Sequence, residues 1–256
     1  MFDTHIHTNF SSDSEMNIDI AIKKARELNL GLTITDHMDL NYPDKTKFKL
    51  DIDSYFNDYI NYKSNNLLLG IELGMDENFS DENLNIAKKY NFDQIIGSQH
   101  SVNGIDIFDK SLYKGKSKDY IFTTYFTDMI ASINTHNYID ILAHIDYICR
   151  YCTFEDKEMH VSEYGDYIKE VFKLCIENNI VVELNTRRFN DDKAIKSLKD
   201  IYSIYTSLGG TLVTIGSDSH VPENIGRSFK EAVDFCDVLN LKPVHFKNRK
   251  IEYEKI

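Results

Sequence analysis

Histidines and carboxylates recur at the ends of short apolar segments along this chain of 256 residues. His5 and His7 are two positions apart, so on a β-strand both side chains would point to one face. Asp3 shares that face and could orient one of these ligands through a hydrogen bond. Asp218 and His220 repeat the spacing far along the chain. Because imidazole and carboxylate groups together suit zinc, iron or manganese, the spacing indicates a metal site.

A single pair of histidines is weak evidence, since two histidines on a strand can simply share an exposed face. The whole set is more specific, because every predicted strand ends in, or runs into, a residue that could bind a metal or a phosphate. These residues are His5, His7, His37, Glu72, His100, His144, Arg187, Arg188, Asp218 and His220. The remaining histidines, His136, His160 and His245, lie in helical or tail segments and are interpreted as structural or solvated.

Seven apolar segments, several of them rich in Ile, Leu or Val, are typical of strands buried on both faces of a parallel sheet. They span residues 2–7, 32–37, 67–73, 94–100, 139–145, 180–185 and 211–218. Segments with helical spacing lie between and after them, at 18–30, 81–90, 117–137, 162–179, 191–208 and 223–239. Gly31 is a good stop signal for the first helix.

This order of strands and helices predicts a closed or nearly closed α/β barrel that occupies residues 1–256 as one domain. An open doubly wound sheet is the alternative, but no glycine-rich phosphate loop follows the first strand. In α/β barrels the active site gathers at the C-terminal ends of the strands. The strand pattern and the chemistry of the residues therefore point to the same place.

Composition narrows the class of protein. A formal net charge of -12 makes the chain a poor general binder of nucleic acid or anionic membranes. We expect no signal peptide and no membrane span, because no basic segment followed by an apolar one and no run of about 18 apolar residues occurs. Four cysteines suit reduced thiols in the cytoplasm, and the lone pair Cys149 and Cys152 is interpreted as incidental. The pattern gives no indication of oligomeric state.

The ordered motifs resemble those of the PHP (polymerase and histidinol phosphatase) superfamily. In this chain they are DTHIHTNFSSDS, ITDH, GIELG, IGSQHSVNG, LAHIDYICRY and IGSDSH. The resemblance extends from residue 3 to about residue 230, and the GSQHSVNGIDIFD segment is most similar to the histidinol-phosphatase branch. It implies a distorted (β/α)7 barrel, TIM-like, with the metal site at the C-terminal ends of the strands.

The resemblance also implies two or three divalent metal ions, zinc, manganese or iron, and a ligand for each site. One metal would use His5, His7, Glu72 and Asp218, and a second would share Glu72 with His100 and His144. A third would use His37, His220 and Asp13, where some relatives carry histidine. Glu72, Asp218 and His220 are the implied catalytic residues, and Arg187 or Arg188 would bind the substrate phosphate.

The expected reaction is hydrolysis of a small phosphate monoester, L-histidinol phosphate for this branch, by water that the metals activate. Alternatives are another ester (a nucleotide, an oligonucleotide or phosphotyrosine), an amidohydrolase-type C–N hydrolase, or a metal-binding module without catalysis. Amidohydrolases usually place a bridging lysine where Glu72 stands here, which favours phosphoester chemistry. We expect no nucleic acid or membrane partner.

Overall fold

Strands and helices alternate along the computed structural model, which describes residues 1–254. The last two residues of the predicted domain, 255 and 256, lie outside the described residues. The strands are β1 (Phe2–Ile6), β2 (Gly31–Ile34), β3 (His37–Met38), β4 (Leu67–Gly74), β5 (Gln94–Ser98), β6 (Ser101–Val102), β7 (Ile105–Asp106), β8 (Ile141–Leu142), β9 (Val181–Asn185), β10 (Leu212–Gly216), β11 (Lys242–Lys247) and β12 (Lys250–Tyr253). The α-helices are α1 (Ile18–Leu28), α2 (Ile52–Tyr59), α3 (Ser80–Lys89), α4 (Lys118–Thr135), α5 (Tyr147–Tyr151), α6 (Val161–Glu177), α7 (Asp192–Ser207) and α8 (Phe229–Leu239).

Seven parallel strands form a barrel in the order β1-β2-β4-β5-β8-β9-β10. The barrel closes between its two ends, where a parallel bridge joins Ile6 to Ser219. Two backbone hydrogen bonds support it, from His7 N to Ser219 O at 2.8 Å and from Asp218 N to His5 O at 2.8 Å. The predicted barrel is therefore confirmed, and the open doubly wound sheet is excluded because β1 and β10 contact each other.

Burial on both faces explains why the strands are nearly continuous apolar segments. Every residue of β4 is buried, and the side chains of Leu68, Leu69, Ile71 and Leu73 are fully inaccessible to solvent. Burying one such side chain contributes about 1.5–3 kcal/mol relative to leaving it exposed. The polar residues at the strand ends are thus held on a rigid, apolar support.

Helix boundaries differ from the sequence prediction by up to six residues, and α2 and α5 were not predicted. Helix α1 ends at Leu28, and Asn29 caps it in the left-handed conformation with φ 55°. The predicted stop at Gly31 was wrong, because asparagine also tolerates this conformation and Gly31 already begins β2. Helix α8 begins at Phe229 rather than at 223, since a short 3-10 helix at Pro222–Asn224 precedes it.

A C-terminal hairpin, β11 and β12, covers the N-terminal end of the barrel and was not predicted. Its strands are joined by a tight turn at Asn248 and Arg249, both of which have positive φ. Glu254 accepts a hydrogen bond from the Phe2 backbone N–H at 2.8 Å and lies 3.0 Å from His245 Nδ1. His245 is therefore a buried residue of this interface, stacked on Phe2 at 4.0 Å, and the interpretation of it as a tail residue was incomplete.

None of the helices within residues 1–254 is long and apolar enough to cross a membrane. The four cysteines carry free thiols, and all four are buried.

Candidate metal centre

The predicted ligands meet at the C-terminal mouth of the barrel. Each comes from a strand end or the loop that follows it, so the parallel order of the strands brings together residues more than 200 positions apart. The histidines and carboxylates that converge here are His5, His7, Asp13, His37, Glu72, His100, His144, Asp218 and His220. Asp13 and His220 lie at the outer edge, where Asp13 Oδ2 is 3.0 Å from His220 Nε2.

Glu72 lies at the middle of five imidazole rings and is completely buried. The nitrogens nearest to its carboxylate oxygens are His37 Nδ1 at 2.8 Å, His144 Nε2 at 3.1 Å, His5 Nε2 at 3.3 Å, His100 Nε2 at 3.3 Å and His7 Nε2 at 3.5 Å. Its Oε1 also accepts a hydrogen bond from Ser98 Oγ at 2.6 Å. A carboxylate in this position can bridge two metal ions.

Several of these atoms are buried without a hydrogen-bond partner among residues 1–254. They are Nε2 of His5, His7 and His100, together with Nδ1 of His37 and Oε2 of Glu72, which lie 2.8 Å apart without the alignment of a hydrogen bond. Leaving a buried polar atom unpaired costs about 1–3 kcal/mol, so native proteins rarely tolerate five in one place. Divalent cations bound between these atoms would satisfy all of them, and the donor set of imidazole and carboxylate groups fits zinc, manganese or iron.

Four overlapping groups have ligand atoms within 4.8 Å of one another. They are His5, His7 and Asp218; His5, Glu72 and His144; His7, His37 and His220; and His37, Asp39 and His100. The first belongs to one predicted ligand set, whereas the second contains His5 in place of His100 and the third contains His7 in place of Asp13. The fourth contains Asp39, which the sequence analysis did not single out although it follows His37 by two positions.

Asp218 reaches the centre through an unusual backbone conformation. Its φ of 52° is in the left-handed region, which costs a non-glycine residue of order 1–3 kcal/mol and is concentrated at functional sites. The turn places Oδ1 3.4 Å from His7 Nε2, while Oδ2 pairs with the Arg150 guanidinium. The chain thus bends sharply after β10 and aims this carboxylate into the mouth of the barrel.

The carboxylates of the centre stay ionised despite their burial. Burial alone would raise the pKa of Glu72, but the charges of His5, His37 and His100 hold it well below its usual value. Burial likewise opposes ionisation of Asp218, and Arg150 and His5 keep its pKa low. Metal binding requires neutral imidazoles, so bound cations would replace the imidazolium charges that hold both pKa values low.

Three arginines lie near the mouth, in different environments. Arg188 is held by Asp146, at 3.0 Å, and by Glu158. Arg187 is about one-third exposed, at 34%, and donates to the Asp218 carbonyl oxygen at 2.6 Å. Arg150 on α5 was missed by the sequence analysis, although it lies in the LAHIDYICRY motif. Within the described chain, its Nε and Nη2 are buried and unpartnered.

Two further carboxylates contact predicted ligand histidines at the ring nitrogen opposite to the one that faces Glu72. Glu183 lies 2.7 Å from His5 Nδ1, and Asp39 lies 3.0 Å from His100 Nδ1.

The prediction that Asp3 orients His5 or His7 was wrong. Asp3 instead accepts hydrogen bonds from the Ser217 backbone and hydroxyl, at 2.9 and 2.6 Å, and so fixes the start of the loop after β10.

A cleft of about 1010 Å³ opens beside the predicted metal ligands His37 and His100. Its walls combine aromatic rings with charged side chains of both signs, namely Tyr42, Phe48, Phe108, Tyr147, Tyr151, Asp44, Asp106, Asp109, Lys47 and Lys110. Asp106 is partly buried and forms no ion pair with any residue of the described chain, and burial raises its pKa. The cleft can therefore hold a molecule with one aromatic and one cationic group.

Comparison with known proteins places this geometry in a family. The model of the PHP domain matches residues 3–187. A probable histidinol-phosphatase of Clostridium acetobutylicum is 49% identical over 253 residues, which cover 99% of each chain. A histidinol-phosphatase of Lactococcus lactis is 26% identical over 90% of this chain and 88% of its own. The crystal structure of histidinol phosphate phosphatase from L. lactis, complexed with zinc, L-histidinol and phosphate, matches with a TM-score of 0.91 and 25% identity over 98% of each chain.

Proposed function

The chain belongs to the PHP domain family, and we propose that it is a histidinol-phosphatase, which converts L-histidinol phosphate and water to L-histidinol and phosphate. The observation that carries the choice of substrate is the 49% identity, over the whole chain, to a relative named as a probable histidinol-phosphatase. The metal centre and the adjacent cleft support the same substrate independently.

Divalent ions bound at this centre would lower the pKa of a water nucleophile and neutralise charge on the phosphoryl oxygens. We propose three ions, because Glu72 can bridge two, and Asp13, which lies 3.7 Å from His37 Nε2 and 3.0 Å from His220 Nε2, can hold another with these histidines. In the reaction a water oxygen bonds to phosphorus, the bond from phosphorus to the substrate's alkoxide oxygen breaks, and the alkoxide takes up a proton. No covalent intermediate with a side chain is needed.

Arg150 is the side chain best placed to bind the phosphoryl group. Its guanidinium lies beside Asp218, and two of its N–H-bearing nitrogens are without partners in the described residues. A planar guanidinium can donate two parallel hydrogen bonds to a phosphate. Arg187 is partly exposed at the edge of the site and would also donate to the phosphate. Arg188 has a structural role, because Asp146 and Glu158 already pair with its guanidinium.

The cleft accounts for the alcohol half of the substrate. L-Histidinol phosphate carries an ammonium group and an imidazole ring beside its phosphate. The Asp106 carboxylate can pair with the ammonium, and the rings of Tyr147, Tyr151 and Phe108 can pack against the imidazole. The centre would then bind the phosphate while the cleft selects the amine.

Replacing Asp106 by asparagine tests whether the cleft binds the ammonium group while the metal centre binds the phosphate. We expect KM for L-histidinol phosphate to rise about 10–100-fold, since a hydrogen bond to a charged group is worth about 1.5–3 kcal/mol. Steady-state kinetics should show kcat/KM for p-nitrophenyl phosphate changed by less than about two-fold, because that ester has no ammonium. Asp58→Asn, at an exposed position on α2, is the matched control. Equal losses on both esters would assign Asp106 to the phosphate half instead.

The function itself is tested by phosphate release from L-histidinol phosphate, with protein reconstituted in turn with zinc, manganese and iron. Nucleoside monophosphates, phosphotyrosine and p-nitrophenyl phosphate serve as competing esters. We expect kcat/KM to favour L-histidinol phosphate by orders of magnitude, and removal of the metals by a chelator to abolish release. Preference for another ester would overturn the substrate assignment, and metal-loaded protein that hydrolyses none of them would favour a C–N hydrolase or a binding module.

A further inference from the structure

Glu183 is a buried carboxylate that contacts ligand residues from two different strands. It lies on β9 with no exposure to solvent. Its Oε1 is 2.7 Å from His5 Nδ1, and its Oε2 accepts hydrogen bonds from the His144 backbone N–H at 2.9 Å and from Asn185 Nδ2 at 3.1 Å. One side chain therefore fixes a ring from the end of β1 relative to the chain that follows β8.

Asp39 has the same relation to a single ligand. It follows β3 and is 7% exposed, and its two carboxylate oxygens lie 3.0 and 3.2 Å from His100 Nδ1. The opposite ring nitrogen, Nε2, then faces Glu72 at 3.3 Å. As at His5, Nδ1 contacts a carboxylate, and Nε2 has no hydrogen-bond partner among the described residues.

Each of these carboxylates lies against a glycine that has no room for a side chain. A Cβ built on Gly216 would clash with Glu183 Oε1 and would lie 2.6 Å from His5 Cβ. A Cβ built on Gly74 would clash with Asp39 Oδ1 and would lie 2.8 Å from its Cγ. Neither glycine has positive φ, so the close approach of the carboxylate, rather than backbone conformation, accounts for glycine at both positions.

We propose that Glu183 and Asp39 are positioning residues for the metal centre. By accepting the Nδ1–H of His5 and of His100, they fix the tautomer and the angle of each ring and leave Nε2 with its lone pair towards the metal. Glu183 also sets the distance between His5 and His144, and so acts on two ligands where Asp39 acts on one. The inference rests on the metal site of the proposed function but not on its substrate.

Zinc affinity of the Glu183→Gln variant is the direct test, measured by competition with a chromophoric chelator. A glutamine can still accept from His5, but its amide N–H₂ would face the donors His144 N–H and Asn185 Nδ2. We expect zinc binding to weaken about 10–100-fold, as is usual for the hydrogen-bond partners of metal ligands. The absorption spectrum of the cobalt-substituted protein should shift, because the geometry of a ligand changes. KM of the Glu183→Gln variant at saturating zinc should stay within about two-fold of wild type, since Glu183 is fully buried and does not line the cleft.

Matched variants separate positioning from folding. Asp39→Asn should weaken fewer of the bound zinc ions than Glu183→Gln, and Gly216→Ala should reproduce the Glu183→Gln defect with the carboxylate still present. Glu177→Gln, at an exposed position on α6, should change nothing. If Glu183→Gln fails to fold, the zinc affinity and cobalt spectrum of Asp39→Asn and Gly216→Ala test the proposal instead. Wild-type zinc affinity and an unchanged cobalt spectrum in the folded variants would overturn the proposal, whether or not the protein hydrolyses L-histidinol phosphate.

Discussion

Replacing Glu72 by glutamine is expected to lower kcat for hydrolysis of L-histidinol phosphate by about 10³-fold or more. This corresponds to roughly 4 kcal/mol of transition-state stabilisation, the amount expected when a site loses the charge that holds its metals. Glu72 lies within 3.5 Å of ring nitrogens from five of the predicted ligand histidines. Steady-state kinetics and metal analysis after gel filtration should show both activity and bound metal reduced.

The fold should survive this substitution, because Glu72 belongs to the polar mouth and the apolar core lies below it. Circular dichroism and thermal unfolding of the metal-free variant check that point. Glu77→Gln changes an exposed glutamate five positions along the chain and should behave as wild type. Wild-type turnover by a correctly folded Glu72→Gln protein would disprove the assignment of Glu72 as the bridging ligand.

Replacing Arg150 by glutamine is expected to lower kcat/KM by about 10²–10³-fold, the range found when one donor to a developing oxyanion is removed. Its Nη1 pairs with Asp218, and its Nε and Nη2 have no partner among the described residues, so they can donate to a phosphoryl group. The loss should be similar for L-histidinol phosphate and p-nitrophenyl phosphate, because both esters present the same phosphate. This distinguishes Arg150 from Asp106, whose effect should depend on the alcohol half.

Two other arginines serve as comparisons. Arg188→Gln should lower the melting temperature more than it lowers kcat, since it leaves Asp146 and Glu158 without their partner. Arg26→Gln, at an exposed position on α1, should alter neither. If both proteins fold and Arg188→Gln loses more activity than Arg150→Gln, then Arg188, one of the two arginines named from the sequence, binds the phosphate instead of Arg150.

The sequence alone was enough to predict the barrel and the residues that gather at its mouth. Strands buried on both faces are continuous apolar segments, and ligands placed directly after them appear as histidines and acidic residues at regular places in the chain. Because the C-terminal ends of parallel strands meet at one face, no contact map is needed to bring His5, Glu72 and Asp218 together.

Side chains that act through contacts distant in sequence were not predictable in this way. Glu183 is 178 positions from His5, and within its own strand it is one more residue of a buried segment. Arg150 lies on the five-residue helix α5, which follows His144. Its guanidinium contacts Asp218, 68 positions away, only because of the direction in which this helix runs. Local spacing carries no information on such pairs, because they depend on how separate loops pack.

Local periodicity thus predicted the fold class and the histidines and carboxylates at the strand ends, and the family resemblance implied which of them bind metal. Only the tertiary structure decided which carboxylates contact the predicted ligand rings, which arginine hydrogen-bonds to the Asp218 carboxylate, and where the aromatic cleft lies. These features are formed by loops after different strands, and their side chains meet only once the barrel has closed between Ile6 and Ser219.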